Sequence, residues 1–168
     1  NNNKMGGLRA DLAEGPLTFG RLYDVFPFDD RLLTLSITGA QLRSIIAADV
    51  RRSRRGALGV SGLSILASCS PGGLRLALTR RSGEPIADDE RLTLVTTDLL
   101  ARSPLFASLA DEQRFDVPTS APMAREVVAN WLTARRGPLS ATEFVDSTRP
   151  HWDPFDAGVS RCTATSTR

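Results

Sequence analysis

The chain has 168 residues, 41% of them hydrophobic and 24% charged, the composition of a globular domain long enough to bury a core; this excludes a disordered chain. Its net charge of +2 is too small to argue for nucleic acid, and it has no apolar run of about 18 residues that would span a membrane as a helix. It has one histidine, His151, and two cysteines, Cys69 and Cys162. A lone histidine cannot anchor a two-metal hydrolytic centre, and it has no nucleophile close to it in sequence. The cysteines read either as two free thiols or as a disulfide of an oxidising compartment.

In chain order, Thr18 caps a short helix running through Leu22 and Tyr23. Residues 31–38 alternate, with Leu33, Leu35 and Ile37 on one face, which predicts a half-buried strand. Thr38 and Gln41 have the spacing of a capping box, and the helix they open carries Leu42, Ile45, Ile46 and Val50 on one stripe. Arg51, Arg52, Arg54 and Arg55 crowd its end before Gly56. A basic last turn complements the helix dipole, and no aromatic residue is interleaved to stack bases.

Residues 58–66 and 74–79 read as strands around the turn Pro71-Gly72-Gly73, and residues 80–85 as a turn into a short edge segment. Asp88-Asp89-Glu90 is a solvated turn, because one carboxylate run supplies too few convergent oxygens for a hard cation. The apolar, β-branched run 91–97 reads as a central strand. A second long helix is predicted over 120–136, with Pro122 in its first turn, Met123, Val127, Val128, Trp131 and Leu132 as its buried stripe, and Gly137-Pro138 as its stop. Trp152 and Phe155, set among prolines, are predicted to dock on the body, and the Ser/Thr-rich end to fray. The order of elements indicates an α+β fold of mixed α/β layers, a mixed sheet packed with two long helices. It forms one domain over 1–146, followed by a tail over 147–168.

The chemistry in this chain is that of recognition. Gly6-Gly7 lets backbone approach a bound group closely, since no Cβ stands in the way. Arg9 brings a planar fork of donors suited to phosphate to the same spot. Phe28, held by Pro27, offers a flat face to a nucleobase. These residues lie in Lys4-Met5-Gly6-Gly7-Leu8-Arg9-Ala10-Asp11-Leu12 and Val25-Phe26-Pro27-Phe28, with Thr18-Phe19-Gly20 between. Ile37-Thr38-Gly39-Ala40-Gln41-Leu42, Val60-Ser61-Gly62-Leu63 and Val95-Thr96-Thr97-Asp98-Leu99-Leu100-Ala101 follow. Over residues 6–135, in this order, the chain resembles the C-terminal, substrate-binding domain of the 5'-nucleotidase and UDP-sugar hydrolase family.

The resemblance implies a 5'-nucleotidase C-terminal-like fold with Gly6, Gly7, Arg9, Phe28, Asp30 and Leu99 at the substrate. Arg9 matches the family arginine near the phosphate and Phe28 the aromatic on one face of the base. Three departures stand out. Lys4 occupies the place of a family asparagine, and Pro27-Phe28-Asp29-Asp30 replaces Pro-Phe-Gly-Asn. Asp98-Leu99-Leu100-Ala101, followed by Arg102-Ser103-Pro104-Leu105-Phe106, replaces Asn-Phe-Leu-Ala and a glycine-rich loop, so the second stacking aromatic is Leu99. The implied function is substrate recognition for a secreted metallophosphoesterase acting on nucleotides or related phosphorylated small molecules. Its implied partner is an N-terminal metallophosphatase domain of the same polypeptide that holds two divalent metal ions. No catalytic residue, metal ligand or cofactor is expected in this chain itself, and no nucleic-acid partner. A family motif only six residues in, after Asn1-Asn2-Asn3, suggests a piece of a longer chain. The location expected is extracellular, periplasmic or at the cell surface. The alternative is a non-catalytic binding module that keeps the fold with a degenerate pocket.

Overall fold

The structure, a computed structural model, describes residues 8–53, 58–110, 117–135, 137–144 and 162. Helix α1 (Phe19–Val25) starts where Thr18 accepts a hydrogen bond from the Arg21 N–H at 3.3 Å, the cap expected from sequence. Strand β1 (Leu32–Thr38) buries Leu33, Leu35 and Ile37 and turns the residues between them outward, so the period-2 pattern is realised. Helix α2 (Gly39–Ser53) begins with a reciprocal capping box. The Thr38 N–H donates to Gln41 Oε1 at 2.8 Å, and the Gln41 N–H donates to Thr38 Oγ1 at 3.2 Å.

Strands β2 (Leu63–Ser70) and β3 (Gly73–Arg80) form an antiparallel hairpin whose register runs from Leu63 opposite Arg80 to Ser70 opposite Gly73. The first strand starts later than the apolar run suggested, because Gly62 takes a φ of +85° and breaks the extended path before Leu63. Gly73, at φ +105°, completes the tight turn around Pro71-Gly72. Strand β4 (Arg91–Thr97) pairs with β1, so the described strands form two two-stranded sheets, β1–β4 and β2–β3. It is not the buried central strand expected, since Val95 is 58% exposed and Arg91 and Thr93 are exposed with it. With one partner strand it keeps one inward and one outward face.

After β4 come the short helices α3 (Asp98–Ala101), a 3-10 turn (Pro104–Phe106) and α4 (Ala107–Ala110), then helix α5 (Ala124–Ala134). Another 3-10 turn covers Ala141–Glu143. Helix α5 is shorter than predicted and Pro122 precedes it. Its expected buried stripe is also wrong. Val127, Val128 and Trp131 are exposed, Trp131 at 48%, and the helix buries Ala124 and Arg125 instead. Trp131 carries the Arg135 guanidinium over its ring, 5.6 Å from the centroid.

The chain divides into two compact units, Asn1–Leu35 with Thr93–Pro138, and Ser36–Leu92 with Leu139–Arg168. The first buries Leu22, Val25, Leu33, Leu105, Phe106 and Leu109, and α1 packs on α5. The second buries Ile37, Leu42, Ile45, Ile46, Val50, Ile65 and Leu78, and α2 packs on β3. Full burial of such side chains contributes about 1.5–3 kcal/mol each.

Around Gly39 the backbone is tightly locked. The Gly39 N–H donates to the Glu90 carbonyl at 3.0 Å and the Ala40 N–H to the Asp88 carbonyl at 2.9 Å. Arg43 binds Asp88 through Nε and Nη2, at 3.0 and 2.9 Å, and the Leu76 carbonyl at 2.7 Å. Glu90 pairs with Arg80. The acidic turn is thus tied to neighbouring arginines. Cys69 and Cys162 are joined in a disulfide, which closes the choice that sequence left open. The docking predicted for Trp152 and Phe155, the end of the Arg51–Arg55 cluster and the tail over 147–168, apart from Cys162, lie outside the described residues.

Candidate functional site

The candidate site is built on the segment Phe26–Arg31, which leaves α1 and leads into β1. Phe26 and Phe28 meet edge to face, with ring centroids 5.6 Å apart and planes at 73°. Phe28 is half-buried, and the exposed Arg9 lays its guanidinium over the Phe28 ring, 5.0 Å from the centroid. The approach is fixed from the backbone, as the Arg9 N–H donates to the Val25 carbonyl at 2.9 Å. Arg9 therefore lies at the surface beside an aromatic, not in a core ion pair. Gly6 and Gly7 lie outside the described residues.

Two further anchors hold this segment. One comes from the end of β4. The Asp98 N–H donates to the Arg31 carbonyl at 2.8 Å, and the Arg31 N–H donates back to Asp98 Oδ1 at 2.9 Å. Thr97 caps α3 by accepting from the Leu100 N–H at 3.3 Å. The residue after Asp98, Leu99, is 45% exposed. Helix α3, which carries Leu99, is thereby stapled to the loop that carries Phe28 and Asp30.

The other anchor comes from the start of α5. The Ala124 N–H donates to the Asp30 carbonyl at 2.8 Å, the Leu32 N–H to the Pro122 carbonyl at 2.9 Å, and Arg31 Nη1 to the Ala121 carbonyl at 2.6 Å. Arg125 donates from Nη1 to the Phe28 carbonyl at 3.1 Å and from Nη2 to Asp29 Oδ1 at 2.6 Å. Its guanidinium also sits over the Tyr23 ring, 4.8 Å from the centroid. Sequence reasoning missed Arg125. The available signal was a cation in the first turn of a helix, the end where the dipole disfavours it.

Asp30 is half-buried. Burial first, then the nearby Asp98 and Asp29 carboxylates, push its own carboxyl above the ordinary value of 3.8. Arginine, aromatic and carboxylate groups are thus gathered on one patch. They can hold and orient a flat, polar ligand. Among the described residues no group of three His, Cys, Asp or Glu side chains could hold a metal ion.

A sequence profile of the 5'-nucleotidase C-terminal domain matches residues 3–104, well over half of the chain. The chain belongs to the 5'-nucleotidase C-terminal domain family. Its fold is similar to that of a 5'-nucleotidase precursor from Thermus thermophilus, at a TM-score of 0.60 and 23% identity, over 80% of this chain and 29% of that one. It is similar also to the NAD nucleotidase NadN of Haemophilus influenzae, at a TM-score of 0.56 and 22% identity, over 77% of this chain and 26% of that one. A stretch of 45 residues, 27% of this chain, is 47% identical to 4% of the endonuclease YhcR of Bacillus subtilis (strain 168). The chain spans less than a third of the length of each of these proteins.

Proposed function

We propose that this chain is the substrate-recognition domain of a 5'-nucleotidase-like phosphoesterase that acts on nucleotides or related phosphorylated small molecules. The observation that carries this reading is the Arg9 guanidinium over the Phe28 ring, which sets a phosphate-binding group and a base-binding face on one patch. Hydrolysis belongs to an N-terminal metallophosphatase domain of the same polypeptide, and the two divalent ions of that chemistry are held there. In this reading Gly6, Gly7 and Arg9 serve the phosphate, and Phe28 packs on the base. Asp30 and Leu99 flank the base. An extracellular, periplasmic or cell-surface location fits the Cys69–Cys162 bridge, because disulfides persist in oxidising compartments.

The test is binding of AMP to the intact protein by ligand-observed NMR, with Phe28→Ala as the comparison. The adenine protons of AMP are expected to shift upfield on binding, and Phe28→Ala to abolish that shift and weaken binding about tenfold. Equal affinity in the two proteins would refute the reading.

A second reading, a non-catalytic module with a degenerate pocket, is favoured by one observation. Asp29, Asp30 and Asp98 set three carboxylates beside the Phe28 segment, where the recognition reading needs an anion to bind. On this reading AMP does not bind at all.

A further inference from the structure

We infer that Arg125 is the positioning residue for the Phe28 face. It acts through the backbone of the Phe28 loop, and the inference rests on the recognition reading above. Three contacts converge on this one side chain, which is 10% exposed. Nη1 binds the Phe28 carbonyl at 3.1 Å, Nη2 binds Asp29 at 2.6 Å, and the guanidinium plane covers Tyr23. The first two lie on successive residues, so the planar fork fixes the peptide that carries the Phe28 ring. Tyr23, on α1, lies under the guanidinium, 4.8 Å from its ring centroid. With the bonds of Asp30 to Ala124 and of Arg31 to Asp98, the loop is held at Phe28, Asp29, Asp30 and Arg31 in turn.

Stability alone accounts poorly for an arginine here. Arg125 sits in the first turn of α5, where the helix dipole opposes a cation. Its Nε is enclosed with no hydrogen-bond partner among the described residues, an arrangement that destabilises. Its ionic partner Asp29 has a side chain 71% exposed, so the pair is screened by water. A well-packed apolar residue of similar length would hold α5 against α1 at least as well. What an apolar residue cannot do is grip the Phe28 carbonyl and Asp29 together, and so fix where the ring points. A ring held before the ligand arrives spares the ordering entropy of binding.

The experiment measures AMP binding to the intact protein in four forms: unmodified, Phe28→Ala, Arg125→Met and Asp29→Ala. Two readouts are taken together, the affinity and the adenine ring-current shift extrapolated to saturation. Circular dichroism reports folding. Arg125→Met is expected to fold, to bind AMP about tenfold more weakly and to show a reduced shift at saturation, because the ring is no longer held square to the base. Asp29→Ala, which removes an exposed side chain and leaves the core intact, is expected to lose a few-fold in affinity with a smaller loss of shift. A folded Arg125→Met protein with unchanged affinity and unchanged saturated shift would overturn the inference while the recognition reading stands. If Arg125→Met does not fold, unchanged affinity and shift in Asp29→Ala overturns it instead. If Phe28→Ala binds AMP as well as the unmodified protein, the recognition reading itself fails, and this inference with it.

Discussion

Arg9 rests on the face of Phe28, its guanidinium carbon 5.0 Å from the ring centroid. A base can stack on that face only if the arginine leaves it, at a cost of about 0.5–1 kcal/mol for an exposed cation–π pair. The phosphate of a nucleotide offers Arg9 another partner, whereas a nucleoside does not. Arg9→Ala is therefore expected to weaken AMP binding while leaving adenosine binding equal or tightening it about two- to fivefold. Calorimetry with both ligands checks this. Parallel losses for AMP and adenosine would show that Arg9 does not select the phosphate.

Leu99 is exposed and aliphatic, and on the recognition reading it stands where a second aromatic would complete a sandwich around the base. One missing aromatic face costs roughly 1–3 kcal/mol. Free nucleosides are expected to bind on the order of millimolar, about 4 kcal/mol. Leu99→Phe is expected to tighten binding about tenfold. An NMR titration of adenosine against both proteins measures it. Micromolar binding by the unmodified protein would mean that the pocket lies elsewhere.

Gly39 has no room for a methyl group. A Cβ built there would stand 1.9 Å from the Ala87 carbonyl oxygen, a backbone atom that cannot rotate away. Gly39→Ala is expected to lower stability by about 3 kcal/mol. Gly83, with φ +92° and open space around its Cβ position, gives a useful contrast. Gly83→Ala is expected to cost about 1 kcal/mol, from backbone strain alone. Urea denaturation of both variants should show the larger loss at Gly39.

The Cys69–Cys162 bridge closes a loop of 93 residues. Chain-entropy arguments put the stabilisation from such a loop at about 4–5 kcal/mol. Reduction, or Cys69→Ser, is expected to lower the denaturation midpoint accordingly. A midpoint that is the same in oxidised and reduced protein would show that the bridge carries no stability.

Asp30 titrates above its ordinary value of 3.8, through burial and then through Asp98 and Asp29. A carboxyl whose folded value is raised destabilises the fold when ionised. That penalty is full at neutral pH, shrinks as pH falls through the folded value, and is gone below the unfolded one. Asp30→Asn is therefore expected to be more stable than the unmodified protein at pH 7, with the difference vanishing by about pH 3. Thermal melts of the two proteins across that range provide the check.

Local features were legible in the sequence because nearby residues complete them. The Thr18 cap, the Thr38–Gln41 capping box and the alternation of Leu33, Leu35 and Ile37 each close within a few residues. The family was legible too, through the motifs around Arg9 and Phe28, and its profile covers that region. The tertiary structure decided what depends on distant partners. An apolar stripe on a helix shows that a face can be buried, not that a neighbour arrives to bury it, and Val127, Val128 and Trp131 stayed exposed. Spacing is silent on whether two cysteines meet, and here they do, across 93 residues. The grip of Arg125 on Phe28 and Asp29, from the far side of the sequence, exists only once α5 has docked against α1. Periodicity and caps are encoded residue by residue, whereas the positions of Arg125, Asp98 and Phe28 around one patch follow from packing, which no short window of sequence contains.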